Sequence, residues 1–217
     1  MRPRANTLGE FPAPPPAGSH VPADPADAAR AEEETEPTPL VTMKAPSQKR
    51  DPLDVVREAI GELEYFDGAN LAAAICAAAL ALGLGARAVI IHALDAKKNE
   101  VRIVAAKGPQ ETELIGARVL VQDDVVASTV VDSGRPMTLV IDPNTGLPRH
   151  APDRLRAVGA TRAVVAVPAL VKKRVVAIIE VVDAAEGAAT AVEPAAEYAG
   201  IQLARFLVTK RAARAEA

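Results

Sequence analysis

The chain has 217 residues, with 25 basic against 28 acidic side chains and a net charge of −3, so its electrostatics ask for neither nucleic acid nor an anionic membrane. No Trp, two Tyr and three Phe are too few rings to interleave with cations on a nucleic-acid surface. The single cysteine, Cys76, builds neither a disulfide framework nor a metal cluster, and the first residues lack the apolar core of a secretory signal; both imply a reducing, cytoplasmic setting.

Residues 1 to about 50 hold ten of the eighteen prolines, an acidic "EEETE" and hardly any large apolar residue. Such a segment buries too little surface to offset the entropy of ordering, which predicts a disordered arm. Its default role is a solubilising spacer, and "PAPPPAG" is its one candidate polyproline strip for a partner. Residues 51 to 217 carry a dense apolar pattern and are expected to form one domain.

Leu53, Val56, Ile60 and Leu63 recur at steps of three and four and predict an amphipathic first helix, with Pro52 suited to its first turn. A second helix is expected over "GANLAAAICAAALALGLGA", with Asn70 as N-cap, a stripe of Leu71, Ile75, Ala79 and Leu82, and Gly83 or Gly85 as the stop. The apolar run from 71 to 94 is broken by Gly83, Gly85 and Arg87 and does not read as a membrane span. Next, "ARAVIIHALD" and "EVRIVAAKG" predict an antiparallel hairpin.

In "DDVVASTVVDSGRPMTLVID" the period changes. Val126, Thr129, Val130 and Ser133 fall at helical spacing, whereas Met137, Leu139 and Ile141 alternate as a strand, with Gly134 and Pro136 redirecting the chain between them. The polar "DPNTGLPRHAPDR" is expected to hold no regular structure. A second hairpin follows, "RAVVAVPALV" and "VVAIIEVVD" about "KKR", with Ile179 inward alongside Val175, Ala177 and Val181. Val192, Ala196, Ala199, Leu203, Phe206 and Leu207 then predict a long closing helix. The sum is an α+β fold, an antiparallel β-sheet with the terminal helices packed on one face.

No catalytic or metal-binding set converges. The three histidines, His20, His92 and His150, lie far apart without metal-ligand spacing. His92 is expected to be a satisfied, half-buried strand residue, Glu180 to stand at a solvated or interface position, and Asp123 and Asp124 to cap the helix that follows. Cys76, amid alanines, reads as a small buried hydrophobe.

Three stretches in this order, "LGARAVIIHALD", "DDVVASTVVDSGRPMTLVID" and "VVAVPALVKKRVVAIIEVVD", with Pro168, Glu180 and Asp183 in the last, resemble the GAF domain, a sensory module related to the PAS fold. The resemblance covers residues from about 69 to 208. It implies a ligand-facing concavity between the sheet and the connection of residues 116 to 160, where Gly116, Arg118, Asp142, Arg149, His150 and Arg162 are placed to meet a small anion or a carboxylate. Departures narrow the ligand. The Asn, Lys, Phe, Asp and Glu set of some cyclic-nucleotide binders is missing, no cysteine stands where a bilin would attach, and the methionine-sulfoxide-reducing members need several cysteines. Lys172, Lys173 and Arg174 replace the family's glycine turn, so a tight glycine turn is not available.

The resulting expectation is a non-catalytic sensory or regulatory module without a resident cofactor or metal. It would bind a small ligand or a signalling partner and transmit through its terminal helices. The alternative is a scaffold domain whose pocket is filled by its own side chains. A homodimer through the first and last helices is expected, because the stripe from Leu53 to Leu63 must be covered and Ile201 and Val208 fall off the sheet-facing side of the last helix.

Overall fold

The computed structural model describes residues 50–61, 63 and 66–216. The expectation of a disordered arm concerns residues that lie outside these. Helix α1 (Pro52–Ile60) starts at Asp51, whose carboxylate accepts the Leu53 N–H at 2.9 Å, and Pro52 occupies the first turn, where no intrahelical donor is needed. Helix α2 (Ala69–Leu84) differs from its expected form. Its N-cap is Gly68, not Asn70, and its buried face is Ala72, Ala73, Cys76, Ala77, Ala79, Leu80 and Leu84; of the expected stripe Ala79 is buried and Ile75 partly so, whereas Leu71 and Leu82 are 47% and 77% exposed.

A helix that is apolar nearly all round has no preferred face of its own, so close packing decides which side turns inward. Small residues win here: a methyl group placed on Gly83 would meet Val56 Cγ2 at 2.7 Å, which shows how near α1 lies. Gly85 ends α2 in the left-handed region, as expected of one of the two glycines.

The strands are β1 (Ala88–Asp95), β2 (Glu100–Lys107), β3 (Arg118–Leu120), β4 (Met137–Val140), β5 (Ala163–Val171) and β6 (Arg174–Val182), in the spatial order β3-β2-β1-β6-β5-β4, every pair antiparallel. Short helices α3 (Glu111–Leu114), α4 (Val125–Ser133) and α5 (Asp153–Ala157) lie in the connections, and α6 (Val192–Glu216) closes the chain. Asp124 caps α4 by accepting from Val126 N and Ala127 N, and Gly134 closes it in the left-handed region. Both were expected. The stretch from 142 to 154 is less irregular than expected, because α5 begins directly after Pro152.

Both faces of the sheet are covered. On one side Ile91, Ile179 and Val181 pack with Val56 and Ile60 of α1, Leu80 of α2, and Ala199 and Leu203 of α6. On the other, Ile90, Ile103, Ile178 and Val182 pack with Val126 and Val130 of α4 and Leu155 of α5. This is the expected α+β sheet with the terminal helices on one face. The stripe of Val56, Ile60 and Leu63 is buried within the same chain, so it offers no dimer surface, contrary to expectation; Ile201 and Val208 are exposed.

The β5–β6 turn is also tighter than expected. Val171 pairs with Arg174 across a two-residue turn in which Lys172 and Lys173 take φ of 49° and 65°. The mirror-image turn that suits the sheet's twist forms here without glycine.

Candidate functional site, a cavity over a buried ionic cluster

On the sheet face opposite the long helices a cavity of about 550 Å3 opens between β1, β2, α3 and β3 and the segment from 149 to 157. Val101, Ile103, Leu114 and Val119 give it apolar walls, and His92, Asp124 and Arg154 form its inner end.

Three elements, α5, β6 and the start of α4, meet at Arg154. Its Nε donates to Glu180 Oε2 at 2.8 Å and its Nη2 to Asp124 Oδ1 at 3.2 Å. Further bonds run from Nη2 to Glu180 Oε1 and from Nη1 to Asp124 Oδ2. The guanidinium thus joins α5 to central strand β6 and to the cap of α4, matching two carboxylates with its planar fork. Glu180 is fully buried, Asp124 is 1% exposed and Arg154 is 8% exposed.

Burial alone would raise the Glu180 carboxyl, but Arg154 and then His92 override it and hold the group well below the usual carboxylate range. Burial would likewise lower Arg154, and the two carboxylates reverse that and raise it. Glu180 and Arg154 are therefore a charged pair.

Glu180 is not at the solvated or interface position expected of it. A strand flanked by β1 and β5 and covered on both faces leaves no solvated side, so its one acid needs an internal partner. His92 also departs from expectation: it is 1% exposed and poorly satisfied. Its Nε2 lies 3.2 Å from Glu180 Oε2 without the alignment of a hydrogen bond, and its Nδ1 meets no partner among the described residues.

Of the residues singled out from the sequence, Arg118, Arg149 and His150 line the cavity. Gly116 stands beside it, next to lining residue Ala117, its N–H bonded to the Ile103 carbonyl at 2.9 Å. Asp142 and Arg162 do not reach it. The Asp142 carboxylate holds the Asn144 N–H at 2.7 Å in a local turn. Arg162 Nη2 donates to the carbonyls of Asp183 and Ala184. Sequence reading missed His92, Asp124 and Arg154 as cavity groups; its one available signal was an acid, Glu180, inside an otherwise apolar strand.

Arg156, also on the lining, is spent on structure: its guanidinium donates to the carbonyls of Pro148, Arg149 and Ala151. Cys76 lies in the opposite core, where burial pushes its thiol up to about 12, as fits a packed hydrophobe.

No protein-family model matches the chain, and no curated protein matches it. Solved structures do. The GAF domain of a phosphoenolpyruvate-protein phosphotransferase from Coxiella burnetii aligns with a TM-score of 0.62 at 18% identity, over 78% of this chain and 99% of that one. The fold is that of a GAF domain. A GAF domain of A. aeolicus nlh2 in an inactive state gives 0.60 at 14% identity, over 74% of this chain and 97% of that one. The free methionine-R-sulfoxide reductase of Neisseria meningitidis, solved with its substrate, gives 0.56 at 18% identity, over 75% and 94%. At such identities the likeness fixes the GAF fold, and the cavity's chemistry rests on this chain's own residues.

Proposed function

We propose that this GAF-fold chain is a non-catalytic sensory or regulatory module that holds a small ligand in the cavity and acts by a change of packing. The observation that carries the reading is the cavity itself, of a size typical of small-molecule sites, with apolar walls and a few convergent polar groups at its inner end. Among similar structures, the reductase of Neisseria meningitidis holds its substrate, and a methyl-accepting chemotaxis protein shares the fold at a TM-score of 0.55 and 17% identity. An open cavity supports this reading over the scaffold with a filled pocket.

Transmission follows from the two-sided sheet. Strands β1 and β6 carry His92 and Glu180 toward the cavity, and Ile91 and Ile179 toward the layer of α1, α2 and α6. A ligand that prefers one arrangement of the cluster would bias the helices behind it. We further propose a cytoplasmic homodimer formed through the outer side of α6, where Ile201 and Val208 are exposed. Among the described residues no helix is long and apolar enough to cross a membrane.

A thermal-shift screen of the full chain against nucleotides, organic acids and amino acids tests the ligand. A specific binder at a hundredfold excess over its dissociation constant stabilises the native state by about 2.7 kcal/mol. A melting midpoint indifferent to all three classes would overturn the ligand reading in favour of the scaffold.

A further inference from the structure

We infer that the outer face of α2 docks on the same face of a second copy of this chain, the two helices antiparallel across a twofold axis. The inference goes beyond the α6 contact proposed above and uses none of its residues.

The face is unusual in what it lacks. Over its 16 residues α2 holds no charged side chain, and Asn70 in the first turn is its one polar group besides Cys76. A helix that is apolar all round belongs inside a structure, because the solvated side of a helix is ordinarily charged or polar. Helices α1 and α6 obey this, with Asp54, Arg57 and Glu58 exposed on one and Glu197 and Arg205 on the other. On α2, beyond the first two residues, the exposed positions are Leu71, Ala74, Ala78 and Leu82, with Ile75 and Ala81 half-buried beside them, and Leu82 is 77% exposed. Steps of three and four residues put them in one stripe. The apolar surface continues onto α1, where Val55, close to Gly83, is half-buried and Ala59, one turn further on, is exposed.

Two properties of the stripe select a second copy as its occupant. The first is charge. At a twofold axis each residue near the axis meets its own like, which a charged helix tolerates badly and α2 does not oppose. The second is shape. Along the stripe the sizes run large, small, small, large, an order that reads the same in both directions. In an antiparallel pair Leu71 of one copy therefore stands beside Leu82 of the other, and Ala74 and Ala78 of both fill the centre. Alanines there let the two axes approach to about 8 Å, the close end of the range for packed helices. Area sets the strength. Half the girth of a 16-residue helix, about 24 Å long and about 10–12 Å across, is roughly 400 Å2, so two copies bury roughly 800 Å2 before the margin of α1 is added. A contact of that size is weak and reversible.

The test is sedimentation velocity on the full chain carrying Ile201→Glu and Val208→Glu, which removes the α6 contact and leaves α2 alone. This variant should dimerise reversibly with a dissociation constant of about 100 μM. Adding Leu71→Lys and Leu82→Lys should weaken the dimer about tenfold or more, because the contact would trap charges without partners. Both positions are exposed in the single chain, so the melting temperature should not change. Orientation has its own readout. A short bis-maleimide should join the Leu71→Cys variant to the Leu82→Cys variant in a mixture and join neither to itself, while buried Cys76, its thiol pushed up to about 12, stays out of the reaction. A monomer at several times that concentration, or a dimer indifferent to the two lysines, would overturn the inference and leave the α6 contact standing if the parent chain dimerises. A monomer whose melting temperature falls with the lysines would mean that the face is covered within its own chain, and would overturn it too.

Discussion

Replacing Arg154 by Met should be among the most damaging single changes on the cavity side of the sheet. The substitution keeps an unbranched side chain of comparable reach and removes the charge. What it strands decides the size of the effect: the Glu180 carboxylate is fully buried and that of Asp124 nearly so, and both lose their guanidinium hydrogen bonds at once. Breaking a buried ion pair by deleting one partner costs about 3–5 kcal/mol. For a domain of this size that corresponds to a fall in melting temperature of about 6–20 °C. Asp124 keeps the Val126 and Ala127 N–H groups as partners, so Glu180 bears most of the penalty. The double variant Arg154→Met with Glu180→Met should therefore recover half or more of the loss, because an apolar pair of similar volume leaves no buried charge unmatched at that position. Urea denaturation at pH 7, followed by circular dichroism, measures both. A single-variant loss below about 1 kcal/mol, or a double variant no better than the single, would show that the cluster is not the buried ionic joint described here.

Acid should expose the same joint. Glu180 is held below its ordinary value of about 4.3 in the folded chain, so its stabilisation is complete above that value and drains away as pH falls through it. Asp183, where the Ala163, Arg162 and Thr161 N–H groups overcome the raising effect of burial, acts with the same sign. Urea midpoints between pH 7 and 3 should fall less steeply for Glu180→Gln than for the parent, and parallel curves would contradict this. Ile179→Ala, deleting most of a fully buried side chain, should cost about 2–5 kcal/mol in the same assay. Lys172→Asn with Lys173→Gly should stabilise by about 0.5–1 kcal/mol, since both positions sit at positive φ, where an unbranched but Cβ-bearing residue is strained; a loss of stability would mean the turn is not of this type.

The succession along the chain of the longer strands and helices was legible because it follows from periodicity and turn residues, which are local, whereas the short β3, α3 and α5 were not foreseen. The 133–137 hinge shows this, with Gly134 and Pro136 marking a boundary that the structure reproduces. The face of α2 was not legible, because alanines at nearly every position carry no directional signal and the choice was made by the approach of α1 at Gly83. Glu180 misled for a different reason. Alternation assigns one strand face to the core and the other to solvent, but β6 has a core on each side, so Ile178 and Ile179 are equally buried. A substitution at Ile179 consequently reports burial without reporting register. The partner of Glu180 lies 26 residues away in sequence, just past a proline-rich loop, and nothing local pairs them. Arg118, Arg149 and His150 were placed at the cavity by the resemblance to the GAF fold, whereas Asp142 and Arg162 belong to turns that only tertiary contacts define.

The two borders of the sheet have their own consequence for how copies of this chain can meet. The outermost strands are β3, three residues long, and β4, four residues long and entered from Pro136, which has no N–H to offer. An incoming strand would find only a few rungs of ladder on either border, and short margins of this kind are a common guard against runaway edge-to-edge pairing. Extension of the sheet from molecule to molecule is thereby disfavoured at both ends, even though Val140 is 73% exposed on one of them. Association is left to contacts between side chains on helical surfaces, which can be specific, saturable and reversible in a way that an open ladder is not.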